Sequence, residues 1–215
     1  MPQIPKPLTT TSHALLGLLA LRPWTTYELA KQVQRGLGWF WPRAERRLYD
    51  EPRRLVSAGL ATATEQHTGK RPRTVYAITE EGRDALRAWL GGSSAPPVLE
   101  FEAMVRVFFA DGGTLEQLRT TLVDVETSAR TRKAELQAMI DASMEGPYEF
   151  AARLPINALA LRFHLDHEQL LIDWARWATD QIMGWSSPVD PGDWNWQDVL
   201  GGKSDGEVRM VAPTV

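Results

Sequence analysis

No cysteine occurs in the 215 residues. That excludes disulfide frameworks and thiolate metal centres, and it suits a reducing compartment. Long hydrophobic runs are missing as well: none reaches the roughly 18 residues that a membrane span requires. The N-terminal stretch MPQIPKPLTTTSHALLGLLAL carries one lysine before a short apolar run, and Arg22-Pro23-Trp24 stands where a signal peptide would place small residues. A soluble cytoplasmic protein without membrane contact is expected. Catalytic signatures are absent in turn. The chain has no Cys nucleophile, no G-x-S-x-G, no P-loop and no G-x-G-x-x-G, and Gly36-Leu37-Gly38 lacks both the third glycine and a preceding strand. Neither an enzymatic activity nor a cofactor is expected. In His164-Leu165-Asp166-His167-Glu168 two imidazoles sit at i and i+3 beside carboxylates, a spacing compatible with a metal. Two imidazoles on one helix are more often part of a solvated face, so no metal site is assigned.

What is present is an uneven charge. Residues 1–90 hold 14 Lys+Arg and 8 Asp+Glu, a balance of +6, while residues 91–215 hold 10 and 19, a balance of −9. The sign changes at Gly91-Gly92-Ser93-Ser94-Ala95-Pro96-Pro97, a stretch that neither helix nor strand tolerates. Two modules with different partners are implied, the basic one facing a polyanion. The expected organisation is a first domain over 12–90, a linker over 91–98, a helical domain over 99–185 and a mostly irregular tail over 186–215, where Gly, Pro, Ser and Asp accumulate.

The first module reads as three helices, a hairpin and a fourth helix. Thr11 or Ser12 is a candidate cap for a helix through Leu21. Thr25-Thr26-Tyr27-Glu28 is a capping box opening a second helix to about Gln34. Trp39-Phe40-Trp41 is a candidate packing staple before a third helix from Arg43 to Ala58, which stops at Gly59. Leu60 to Gln66 and Thr74 to Thr79 read as strands around the turn HTGKRPR, and Thr79 caps a helix from Glu80 to Leu90. Three helices followed by a two-stranded hairpin is the order of a winged helix-turn-helix, whose third helix enters the major groove while the hairpin lies along the backbone. The expected fold class is therefore mainly α with a small β-hairpin: an N-terminal winged helix-turn-helix and an all-helical C-terminal domain.

The third helix carries Ala44, Leu48 and Leu55 on one side and Arg43, Arg46, Asp50, Arg53 and Arg54 on the other, with Arg47 and Tyr49 on the flanks. Arginine forks onto guanine or bridges phosphates. Arg43, Arg46, Arg47 and Tyr49 are candidate base readers, Arg53 and Arg54 candidate phosphate contacts. Lys70, Arg71 and Arg73 form a cationic tip at the wing and complete the candidate set for double-stranded DNA. A solvated face laced with i,i+4 pairs, Glu51 with Arg47 or Arg54 for example, is the competing reading of any single arginine. Pro52 removes one helical hydrogen bond, so a kink or two separate segments are expected there.

In the second module, Leu99–Ala110 is strongly apolar and ends at Asp111-Gly112-Gly113. Thr114 caps a long helix in which Leu115, Leu118, Leu122, Val125, Ala129, Arg132, Leu136 and Met139 make a heptad seam with one charged position. The seam needs a partner helix, from the same chain or from a second copy. A last long helix is expected over Ile156–Met183. Nine tryptophans is a high count, and Trp174 and Trp177, one turn apart, are candidate walls of a pocket for a flat hydrophobic effector; packing is the alternative.

The segments HALLGLLAL, TTYELAKQV, WPRAERRLYDEPRRLVSAGLATA and GKRPRTVYAITEEGRDALRAWL, which together cover 12–90, resemble the PadR-type transcriptional regulators. The remainder is similar to the larger PadR subclass with a multi-helix C-terminal domain. The resemblance implies a homodimer that binds an inverted-repeat operator, usually as a repressor. It also implies that the long C-terminal helices build the dimer, which makes the all-helical C-terminal domain a dimerisation domain, and that ligands bind near that interface. It places the recognition helix at Arg43–Ala58 and the wing at Leu60–Thr79, with Pro52 where many relatives carry leucine. A rival from another class is a winged-helix protein-interaction adaptor with a helical oligomerisation platform.

Overall fold

The computed structural model describes residues 7–41, 49–68, 71–144 and 150–200, without the side chains of Trp39, Thr68 and Arg71. The chain divides into two compact units, Met1–Pro97 and Val98–Val215.

The first unit begins one cap earlier than the sequence suggests. Helix α1 spans Thr10–Leu19, and its cap is Thr9, whose hydroxyl accepts from the Ser12 N–H at 3.2 Å while the Ser12 hydroxyl accepts from the Thr9 N–H at 2.8 Å. Thr11 and Ser12, the expected caps, lie inside the helix and are buried. Leu15, Leu16 and Leu19 form its core face. Helix α2 spans Thr26–Arg35 and opens on the expected capping box: Thr25 Oγ1 accepts from the Glu28 N–H at 3.2 Å, and the Glu28 carboxylate accepts from the Thr25 N–H at 2.8 Å. The residues just before it, Trp24–Thr25, are a short strand, β1. A 3₁₀ turn over Leu37–Trp39 follows, and Trp41 then donates its indole N–H to Thr11 Oγ1 at 3.0 Å, which ties this segment to α1.

The third helix, expected over Arg43–Ala58 with a kink or two segments at Pro52, is described only from Tyr49 onward, because residues 42–48 lie outside the described residues. Tyr49 and Asp50 form a turn, and α3 starts afterwards at Glu51–Ser57. The cause is Pro52, which occupies the first turn, where a missing N–H costs nothing. Gly59 ends α3 with φ +74°, and Leu60 N–H returns to Leu55 O at 2.9 Å, a left-handed terminator that favours glycine.

Strands β2, Ala61–Thr68, and β3, Arg71–Ile78, run closer to the hairpin tip than the sequence suggests, since pairing continues to Thr68↔Arg71. The expected two-stranded hairpin is a three-stranded antiparallel sheet of order β1-β3-β2, with Trp24 opposite Tyr76 and Thr25 opposite Val75. Thr79 caps α4, Glu80–Leu90: its hydroxyl accepts from the Gly82 N–H at 3.1 Å and donates to Gly59 O at 2.7 Å. Gly82 lets the helix approach β2, because a Cβ there would stand 2.1 Å from Leu60 O.

In the second unit, α5 covers Glu102–Phe108, within the apolar stretch expected. Thr114 and Gln117 bond reciprocally at the start of α6, Leu115–Met144. Helix α7 runs over Leu154–Gln181, two residues earlier than expected at both ends, with Pro155 in its first turn. The seam on α6 finds its partner in the same chain: Leu118, Leu122, Val125, Ala129 and Leu136 are buried as α6 packs on α7. Arg132, the charged seam position, forms a two-pronged ion pair with Glu168 at 3.0 and 2.9 Å. The buried face of α7 is His164, Glu168, Ile172 and Ala175, so within the His164–Glu168 stretch His164 and Glu168 leave the expected solvated face, while Asp166 stays exposed. No group of three or more metal-ligating side chains is found among the described residues. In the tail a short helix, α8, covers Trp196–Leu200. No helix among the described residues is long and apolar enough to cross a membrane.

Candidate nucleic-acid interface

Of the nine side chains singled out for DNA, Arg43, Arg46, Arg47 and Lys70 lie outside the described residues, and Arg71 is described only as backbone at the start of β3. The other four fall into two sets. Tyr49, 71% exposed, and Arg53, exposed, stand on the surface at the beginning of α3. Arg73 stands on the surface of β3, where its Nη2 donates to Gln66 Oε1 at 3.2 Å from the residue paired with it across the hairpin. That bond orients the guanidinium along the wing.

Arg54 is engaged inside the unit. Its Nη1 lies 3.3 Å from Glu51 Oε1, and its Nη2 donates to Pro7 O at 2.7 Å. Glu51 is 3% exposed and also accepts from the buried hydroxyl of Ser12. A carboxylate this deep needs partners, because an unpaired buried charge costs several kcal/mol (roughly 3–5). The Ser12–Glu51–Arg54 chain thus pins the start of α3 to α1 and to the residues preceding it. Helix α3 cannot shift without breaking it.

Sequence reasoning missed the flank of α2. The pairing of β1 with β3 brings the first turn of α2 beside the wing strand. Thr25, Thr26, Tyr27, Glu28, Arg73 and Thr74 together line a cleft there. The capping box was legible, but the two-residue strand that gives it a neighbour carries no periodicity. Tyr27 is 76% exposed. The Glu28 carboxyl is held below the usual carboxylate range, chiefly by the Thr25 backbone N–H, with the Thr25 hydroxyl and Arg22 adding to it. Arg22 lies 3.3 Å from Glu28 and stacks 3.5 Å over the Trp24 ring. Glu28 is therefore an ionised carboxylate partnered by Arg22 and the Thr25 donors, and the rest of the cleft lining is hydroxyls and one cation.

In the second unit the two candidate tryptophans part. Trp174 packs against Leu118, Leu122 and Ile182 and meets Phe101 edge-on at 6.4 Å. Trp177 is 44% exposed. Trp185 joins the same cluster, crosses Trp194 at 5.1 Å, and keeps a buried indole N–H without a partner.

Residues 15–88 match the model of the transcriptional regulator PadR-like family, and residues 101–182 match the virulence activator alpha C-terminal family. The negative transcriptional regulator PadR of Bacillus subtilis (strain 168) is 24% identical over 167 residues, which are 75% of this chain and 91% of that one. The crystal structure of that protein with operator DNA superposes at a TM-score of 0.73 with 22% identity, over 82% of this chain and all of that chain (100%). Its structure with p-coumaric acid superposes at 0.64 with 20% identity, over 80% and 98% of the two chains. The virulence activator AphA of Vibrio cholerae superposes at 0.63 with 25% identity, over 80% and 96%.

Proposed function

This chain is a transcriptional regulator of the PadR family, and from that premise we propose that it is a cytoplasmic, ligand-responsive repressor that binds an inverted-repeat operator as a homodimer. The observation that carries the DNA-binding part is the first unit itself. It has the winged-helix order, it holds the +6 charge balance of residues 1–90, and it presents Tyr49, Arg53 and Arg73 on its surface. Residues 12–90 are the proposed DNA-binding domain. Within it Arg43, Arg46, Arg47 and Tyr49 are the proposed base readers, and Arg53, Lys70, Arg71 and Arg73 meet phosphates. Arg54 joins them only if it leaves Glu51 and Pro7. The B. subtilis relative solved with operator DNA has the same fold, which supports this assignment.

Residues 99–185 are the proposed dimerisation and effector domain. Helix α7 leaves Ile156, Phe163, Leu170 and Trp177 exposed at intervals of seven residues, with Leu159 beside them. An apolar stripe of that period suits a partner helix better than water. For the effector, Trp174 and Trp177 are the proposed contacts, and a small aromatic acid is the class suggested by the relative solved with p-coumaric acid.

The test is fluorescence anisotropy of the pure chain against its own upstream promoter duplex and a scrambled duplex at two salt concentrations. Tight, salt-sensitive binding that favours the promoter is expected. Absence of binding to either duplex at low salt would exclude a DNA-binding regulator. Sedimentation of Phe163→Glu against the parent tests the dimer: the parent sediments as a dimer and the variant as a monomer. Quenching of tryptophan emission by p-coumarate, lost in Trp174→Phe, tests the effector site.

A further inference from the structure

We propose that the cleft between α2 and β3 seats one phosphodiester of the DNA backbone, held jointly by the Tyr27 hydroxyl and the Arg73 guanidinium. The proposal rests on the DNA-binding reading above and adds a second element of the first unit, α2, to its contact surface.

Three observations carry it. First, the cleft is built by a strand pairing and not by a chance approach of loops. Thr25 opposite Val75 sets the first turn of α2 against β3, so Tyr27 and Arg73 are held to one register. Second, its lining is rich in donors. Thr26, Tyr27 and Thr74 supply hydroxyls and Arg73 supplies a cation, while the one carboxylate, Glu28, is occupied by Thr25 at 2.8 Å and by Arg22 at 3.3 Å. Such a set has little to offer a cation or an apolar group. A tetrahedral anion accepts from several donors at once. Third, Tyr27 is a large aromatic left in solvent in the first turn of its helix, next to an exposed arginine. Packing does not explain its position; a hydroxyl held out toward a ligand does.

The occupant follows from what shares the surface. Arg73 also belongs to the wing, so an anion bridging Tyr27 and Arg73 lies on the path that a duplex backbone takes past that hairpin. The contact positions the duplex and reads no base. It therefore strengthens binding to any sequence by the same factor.

The experiment measures anisotropy on the full-length chain with the promoter duplex and the scrambled duplex over a salt series. Tyr27→Phe, which removes only the hydroxyl, weakens both duplexes by the same factor, about tenfold. Arg73→Ala weakens both and lowers the slope of log affinity against log salt by about 0.9, the value for one phosphate. In the Arg73→Ala background, Tyr27→Phe has little further effect, because the shared phosphate is already released. Both side chains are exposed, and circular dichroism verifies that the variants fold. Strictly additive losses would mean that the two residues hold different groups and would overturn the shared seat. Tyr27→Phe leaving both duplexes unchanged while the parent binds them would overturn it too. A loss confined to the promoter duplex would make Tyr27 a base reader. A parent that binds neither duplex would remove the DNA-binding reading itself, and this seat with it.

Discussion

The two units solve the burial problem in opposite ways. Among the described residues the first is assembled from short elements, none longer than 11 residues, and it closes its core with polar pins: Trp24 onto Leu18 O at 2.7 Å, Trp41 onto Thr11, and Ser12 and Arg54 onto Glu51. The second is a hairpin of two long helices, 30 and 28 residues, zipped by one seam. Short helices are marginal alone and are held by tertiary bonds; long ones need only a stripe. The consequence shows on their surfaces. The second unit leaves Met104, Val105, Phe108 and Phe109 of α5, as well as the outer stripe of α7, in solvent. Of the described residues, the first unit exposes fewer large apolar side chains, Phe40 and Leu90 among them, and the second exposes the stripe proposed above for a second copy.

The sharpest way to break that contrast is to damage one unit and watch the other. Gly82→Ala drives a methyl into Leu60 O and Ile78, and backbone cannot yield cheaply. We expect a loss of about 3 kcal/mol from the first unit. In calorimetry its unfolding transition moves down while that of the second unit stays; an unmoved first transition would contradict the close approach. Arg132→Ala acts on the other side. It leaves Glu168 buried without its partner, and we expect a loss of about 2 kcal/mol, below the full cost of breaking a buried pair because Arg132 itself is half exposed. Urea denaturation measures it, and joint replacement of Arg132 and Glu168 by leucine recovers most of the loss. Thr79→Ala removes a cap and one bond to Gly59 O, costing the first unit about 1 kcal/mol in the same assay.

Acid separates the units with the smallest effect. Burial holds His164 below its ordinary value of 6.5, with His167 adding to the shift and Glu168 opposing it. The unfolded chain therefore binds more protons than the folded one once the pH falls below about 6.5. The second unit loses stability from there downward, and above that pH the effect vanishes. Glu28 acts in the same direction in the first unit, but in a lower pH window. Its folded value lies below 4.5, so its contribution is present above that pH and is lost as pH falls through the folded value. The second unit is thus expected to loosen at a higher pH than the first. Thermal melts between pH 7 and pH 4 followed for each transition, with His164→Gln flattening the response of the second unit alone, check it.

Much of this contrast is written in local signals. Thr25, Thr79 and Thr114 cap helices as their spacing says, Gly59 stops α3, and Leu118, Leu122, Val125, Ala129 and Leu136 of the seam are buried where the heptad places them. These are interactions within a turn or two, and propensity governs them. What escaped was set by tertiary contact. Strand β1 is two residues long and exists because β3 has a free edge. The break near Pro52 was legible, but its place, with α3 starting at Glu51 so that Pro52 sits in the first turn, was not. The inward face of α7 is partly polar, with His164 and Glu168 buried beside Ile172 and Ala175 and Glu168 paired to Arg132, while Phe163 and Leu170 face out; a helix apolar on two sides does not announce which one its neighbour takes. At the candidate interface the cations were legible as types, but Arg54 is drawn inward by Glu51, and Tyr27 becomes relevant only through β1.

The pair formed by Arg132 and Glu168 has one more consequence, a mechanical one. A hairpin zipped by leucines alone can creep by one heptad and find an equivalent fit. Here such a slip would set Glu168 against Val125 or Met139, and Arg132 against carbon. The pair is a detent in the track: it permits the two helices to splay or roll about each other but blocks them from sliding.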